Sequence, residues 1–197
     1  MKKEQEIQRQ ENLEKQLEDF DTKTKKQLEK WTGMKFKEMI YDTDIDAKSG
    51  IYSSTFINKY LNERNNFLLY IEDTNGEKFG YYVDNEDKDK TFHFNLYSNG
   101  RMKKPMKYDL IDESGAIYRV ERSSATSCNR YGDIMFHMTF FEGTSYSDRV
   151  VYSENFDYQN MNNALNDMKK GRIYWNFNSQ RVVFIEMEKE VSKRKKK

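Results

Sequence analysis

The residues able to do chemistry are few and scattered. Cys128 is the single cysteine of the 197-residue chain, and His93 and His137 are its two histidines. A thiol needs a nearby base to act as a nucleophile. Both histidines fall on expected strands, whereas Cys128 falls in a polar loop, 123–130, with no helix N-terminus behind it to lower its pKa. The spacing argues against a Cys–His pair, and no catalytic residue is assigned. A sensing or sacrificial role for Cys128 would lack a resolving thiol within the chain.

Two groups of carboxylates come next. Asp42, Asp44 and Asp46 have the spacing that opens an EF-hand loop, but Ala47 stands where the loop needs glycine and Ser53 where it needs the closing glutamate. The expectation is a solvated acidic loop, with cation binding by these three aspartates as its alternative. Glu186 lies within an apolar strand pattern, and a carboxylate there must be paired or protonated, because an isolated buried charge is costly. Pairing with an arginine or with backbone donors is expected rather than catalysis. No metal or cofactor is assigned.

The basic residues suggest other partners. Lys193–Lys197 is a run of five positive charges at the C-terminus, and Arg101, Lys103, Lys104 and Lys107 form a second, looser group. Such runs serve as nuclear addresses, contacts for anionic surfaces or solubilising ends. The net charge of +1 hides an asymmetry. Of 34 Lys/Arg and 33 Asp/Glu, the first 30 residues hold 8 and 8 and the last nine 6 and 1. The stretch between, residues 31–188, therefore holds 20 and 24 and is acidic. A domain that binds nucleic acid through its own surface is ordinarily basic, which counts against that function.

A single cysteine excludes an intrachain disulfide and a cysteine-based metal cluster. The first ten residues are charged without an apolar core, no run reaches the length of a membrane span, and no asparagine stands in an Asn-X-Ser/Thr acceptor. These features lead to the expectation of a cytoplasmic protein, with the nucleus as the alternative if the tail is an address.

Aromatic residues make up 15% of the chain against 36% for all hydrophobic residues, so the core is expected to be built on Phe and Tyr. Residues 3–31 contain no Gly or Pro and read as one helix, in which Leu13, Leu17, Phe20, Thr24, Leu28 and Trp31 form an interrupted stripe. The stripe is compatible with a short coiled coil and self-association. The expected division is that Leu28 and Trp31 anchor the helix while residues 1–20 project. Thr32 and Gly33 then break it. Strands are expected at 36–41, 91–96, 106–111, 117–121, 133–141 and 181–187, with helices after Ser53 or Ser54 and within 158–168.

The most legible stretch is 66–84. Thr74, Asn75 and Gly76 form a three-residue hairpin loop with glycine in the left-handed position. That loop sets Glu72 opposite Lys78, Ile71 opposite Phe79, Leu69 opposite Tyr81 and Phe67 opposite Val83, with Tyr70 beside Gly80. Leu68, Tyr70 and Tyr82 make the second face apolar too, so the hairpin belongs inside a layered domain. The fold class expected is mainly β with helices: a two-sheet β-sandwich flanked by short helices, divided as residues 1–31 helix, 32–190 globular domain and 191–197 basic tail.

Within residues 33–188 the pattern resembles the TLDc domain family, as a divergent member with an N-terminal helical extension. The resemblance is carried by 51–83, where a helix starts after serine and leads into Leu68-Leu69-Tyr70-Ile71, an acidic turn and Glu77-Lys78-Phe79-Gly80-Tyr81-Tyr82. Phe92-His93-Phe94-Asn95-Leu96, Gly143-Thr144-Ser145 and Phe184-Ile185-Glu186-Met187 add to it. It implies a two-sheet sandwich, protection against oxidative stress and, in several members, binding to the vacuolar proton-pumping ATPase, with no accepted catalytic set. The leading expectation is a non-enzymatic protein-interaction module. Its alternatives are a nuclear or nucleic-acid-associated factor using the tail and a thiol-dependent antioxidant enzyme using Cys128.

Overall fold

A computed structural model describes residues 2–46, 64–73, 76–84, 87, 90–98, 103–109, 121–122, 136–138, 148–151, 174–177 and 179–190. The N-terminal segment forms two helices, α1 (Lys2–Glu18) and α2 (Thr22–Thr32), followed by β1 (Lys35–Asp42) and the four-residue helix α3 (Thr43–Asp46). The expected hairpin is β2 (Asn66–Asp73) and β3 (Lys78–Asp84), and β4 (Phe92–Tyr97) and β5 (Met106–Asp109) continue it. Four short strands follow, β6 (Glu121–Arg122), β7 (Phe136–Met138), β8 (Asp148–Val151) and β9 (Tyr174–Phe177), before β10 (Ser179–Glu188). The expected helices near residue 54 and within 158–168 lie outside the described residues.

The strands form a six-stranded sheet in the order β1-β10-β2-β3-β4-β5 and a four-stranded sheet in the order β6-β7-β8-β9. All pairings in the larger sheet are antiparallel. The protein is thus of mixed α+β class. The strand expected at 181–187 is β10, which runs inside the sheet between β1 and β2. Its apolar run Val182-Val183-Phe184-Ile185 is that of a strand covered on both faces, and all four side chains are buried.

The hairpin register is the one expected: Glu72 pairs with Lys78, Ile71 with Phe79, Leu69 with Tyr81, Phe67 with Val83 and Tyr70 with Gly80. Gly76 takes a φ of 78°, in the left-handed region, and its N–H donates to the Asp73 carbonyl at 3.0 Å. Phe67, Leu69, Ile71, Phe79 and Tyr81 are all buried. At Gly80 an added Cβ would meet the Leu69 carbonyl oxygen at 1.8 Å and the ring of Phe94 at 2.9 Å, so the close cover comes from β4 as well as from the neighbouring strand. Gly80 is there because the backbones and the Phe94 ring leave no room for a side chain.

The N-terminal segment departs from expectation in two ways. It is broken at Asp19–Asp21 instead of running as one helix, and its first half packs on the sheet instead of projecting. Leu13, Phe20 and Leu28 join Phe36, Met39, Leu68, Tyr70, Tyr82, Phe92, Phe94, Val183, Ile185 and Met187 in one core, with Leu17 and Trp31 partly buried against it. The stripe read as a coiled-coil seam is therefore satisfied within the chain. Phe20 holds the break in place, its ring centroid 5.5 Å from Phe36 and 5.2 Å from Tyr70. Asp21 caps α2 by accepting from the Thr24 N–H at 2.7 Å, and Gly33 ends that helix at a φ of 68° with its N–H donating to the Glu29 carbonyl. Trp31 lies near Phe92 and Phe94 at about the expected anchor point.

Leu13→Ala should cost about 2–5 kcal/mol and Phe79→Ala about 3–5 kcal/mol, each by lost transfer energy plus a cavity. Deleting residues 2–20 should then lower the melting temperature more than Trp31→Ala does. Thermal and denaturant unfolding of the three variants checks both statements.

Candidate functional site

The charged side chains of the acidic segment converge where the end of β1, the short helix α3, the start of β10 and the helix α1 meet. Asp42 ends β1, and its carboxylate Oδ1 accepts from the Asp44 N–H at 2.9 Å, turning the chain into α3. The Asp42 N–H donates to Asp46 Oδ2 at 2.9 Å, and the Val182 N–H donates to Thr43 Oγ1 at 2.9 Å, tying the turn to β10. Two arginines distant in sequence complete the cluster. Arg9 of α1 donates from Nε to Asp46 Oδ1 at 2.6 Å and from Nη2 to the Ile40 carbonyl at 2.9 Å, with Glu6 at 3.3 Å from its Nη1. Arg181 of β10 donates from Nη2 to Asp42 Oδ2 at 2.6 Å and to Gln16 Oε1 of α1 at 3.1 Å, and Asp44 lies 3.6 Å from its Nε.

Both aspartates at the centre are 0% exposed, and Arg9 is 6% exposed. Burial raises the Asp46 pKa above the ordinary carboxylate value, while the hydrogen bond from Arg9 and the Asp42 N–H pull it back down. Burial works against the charge on Arg181 too, but the hydrogen bond and charge of Asp42 more than offset it and raise its pKa. Tyr70, on the helix-covered face, donates to Glu72 Oε1 at 2.6 Å, and burial followed by that bond keeps its hydroxyl protonated.

Guanidinium groups do not release protons near neutral pH. In this arrangement of two carboxylates, each closed by an arginine, the charges are engaged within the protein. What it does is fasten α1 to the sheet. Asp42 and Asp46 are buried and held by protein cations, which corrects the reading of these two as part of a solvated loop or cation site, whereas Asp44 is exposed as that loop reading has it. Among the described residues no group of three or more His, Cys, Asp or Glu side chains is placed to hold a metal ion.

A second ionic group fixes β1 to β10. Glu186 pairs with Glu38 across the strands, and Arg64 donates to Glu186 Oε2 at 2.9 Å and to Glu38 Oε2 at 3.3 Å. Lys37 Nζ donates to Glu186 Oε1 at 2.7 Å, the bond that raises the Lys37 pKa. Glu186 is thus a paired structural carboxylate, as its place in an apolar strand implied.

The other sequence-derived candidates lie on separate elements or outside the described residues. His93 is on β4 of the larger sheet and His137 on β7 of the smaller one, while Cys128 lies outside the described residues. Arg101 and Lys193–Lys197 also lie outside them. Lys103 and Lys104 are exposed, but Lys107 lies with Nζ 4.8 Å above the Phe92 ring. Sequence reasoning missed Arg9, Arg64 and Arg181. The signal for Arg9 was its spacing, since Arg9, Leu13 and Leu17 recur at i, i+4 and i+8 and so share one helix face.

No family model matches the chain, and no curated protein does either. No helix among the described residues is long and apolar enough to cross a membrane.

Removing one partner of a buried pair leaves an uncompensated charge, so Arg9→Ala and Asp46→Asn should each cost about 3–5 kcal/mol, whereas the double substitution Arg9→Met with Asp46→Leu should cost much less than their sum. The pH dependence has a definite sign. The fold raises the Asp46 pKa, so the native state holds that proton more tightly than the unfolded chain. Its contribution is fully present below the unfolded value of about 3.9 and is lost as pH rises through the folded pKa. Unfolding titrations of wild type and of Asp46→Asn should differ by a component of this sign.

Proposed function

We propose that the chain is a non-enzymatic, TLDc-like protein-interaction module: a two-sheet β-sandwich with helices at its margins, acting inside the cell through contact with other proteins. The observation that carries this reading is the continuity of the resemblance. Its quoted segments Leu68–Ile71, Lys78–Tyr82, Phe92–Leu96 and Phe184–Met187 fall on β2, β3, β4 and β10, four adjacent strands of one sheet. Segments scattered over more than a hundred residues of sequence thus act as a single structural unit. The buried charges at the helix–sheet junction also favour a scaffold, because they are spent on holding elements together.

The partner class that the resemblance suggests is a peripheral subunit of the vacuolar proton-pumping ATPase, and the physiological setting is protection against oxidative stress. Affinity purification of the full chain from its native cell, with mass spectrometry, should recover such subunits. Recovery of nucleic acid that is released between low and physiological salt would instead favour the alternative use of the basic tail. Peroxide consumption abolished by Cys128→Ser would replace the module with a thiol enzyme.

A further inference from the structure

Local sequence preference and fold disagree at three residues. Residues 2–32 contain no Gly or Pro, yet α1 stops at Glu18 and α2 starts at Thr22. The Asp19 N–H still donates to the Lys15 carbonyl at 2.9 Å, and the Lys25 N–H is the donor to the Asp21 carbonyl at 2.9 Å. Between these bonds the ladder is interrupted, and the Asp21 carboxylate caps the Thr24 N–H in place of a main-chain acceptor. A helix end leaves about four main-chain groups without intrahelical partners. The chain accepts two such ends here because the bend places Phe20 in the core and lays α1 against β1, where Arg9 reaches Asp46.

Straightening would return those main-chain bonds and make one helix, but it would lift Leu13, Leu17 and Phe20 from the sheet and leave Asp46 buried without Arg9. The vacated seat has a specific chemistry. It requires a helix carrying a guanidinium at one position, a leucine four residues later and a glutamine three beyond that to meet Arg181, and α1 supplies all three as Arg9, Leu13 and Gln16. A second copy of the same chain supplies them equally.

We propose that the chain forms a helix-exchanged dimer in which Asp19–Asp21 straightens, α1 and α2 become one helix, and α1 of each copy docks on the larger sheet of the other. Exchange of an identical element reuses the native contacts, so the closed monomer and the dimer differ chiefly at the hinge and in association entropy. This inference is independent of the function proposed above. Its consequence is a bivalent particle whose proportion rises with concentration.

The test mixes two full-length variants, Arg9→Asp and Asp46→Arg. Each alone opposes like charges in its seat. If α1 crosses between copies, a mixed dimer has the native Arg9–Asp46 pair in one seat and the charge-reversed pair in the other. Co-refolding should then yield a one-to-one dimer by light scattering that melts above either variant alone. A mixture that behaves as the sum of its components overturns the proposal. Asp21→Ala in the otherwise native chain is the second arm: it removes the cap that holds the break and should shift the equilibrium toward dimer by roughly five-fold per chain. A chain that stays monomeric at every concentration with this substitution overturns the proposal, and so does a dimer that survives deletion of residues 2–18.

Discussion

A sheet that is apolar on both faces must be covered on both faces, and the rest of the described structure follows from this. Along β2 the side chains of Phe67, Leu69 and Ile71 alternate with those of Leu68 and Tyr70, and all five are buried. The same alternation runs through β3 and β10. Burying a large apolar side chain is worth about 1.5–3 kcal/mol, so leaving either face wet would forfeit much of the stability of a domain this size. The N-terminal helices are the cover for one face. They belong to the core of the domain, even though their composition is that of a solvated charged segment.

Apolar contact alone would leave α1 loosely placed, because hydrophobic attraction has no direction. Leu13, Leu17 and Phe20 could slide along the sheet with little loss. Arg9 and Gln16 remove that freedom, since one must reach Asp46 and the Ile40 carbonyl while the other reaches Arg181. A buried ion pair of this kind adds little net stability over well-packed apolar residues, because desolvation consumes much of the Coulombic gain. Its contribution is position. The same logic applies at the other side of β1, where Arg64 bridges Glu186 and Glu38 and so fixes the pairing of two strands that are remote in sequence.

What could be read from the sequence was what neighbouring residues decide. The hairpin was legible in full because its loop chemistry and its cross-strand pairs agree within nineteen residues. Which strands flank β10 was not, because β1 and β2 lie far before it in sequence and nothing local to β10 names them. The helix break was hidden for a related reason: Asp19, Phe20 and Asp21 include no Gly or Pro, and the bend is selected by the tertiary burial of Phe20 together with the Asp21 cap on the Thr24 N–H. At the acidic segment, period-two aspartates read as a solvated loop with a cation as its alternative, while the actual counter-charges lie 37 residues before Asp46 and 139 residues after Asp42. An arginine in a helix rich in Gln and Glu is ordinarily solvated, so Arg9 offered only its four-residue spacing from Leu13 as a sign.

The edges of the larger sheet constrain how such a module can meet another protein. An unpaired strand edge invites further strands, and proteins suppress this with charge, irregularity or shortness. At one edge, β1 carries exposed Lys35 and Lys37 and has register shifts at Phe36/Glu38 and Met39/Tyr41 that break the regular spacing of its main-chain groups. At the other, the described residues of β5 number four. Among the described residues, neither edge offers a long, flat, regular row of donors and acceptors. As far as the described residues form these edges, they disfavour extension of the sheet by an incoming strand and favour recognition through side chains over main-chain pairing.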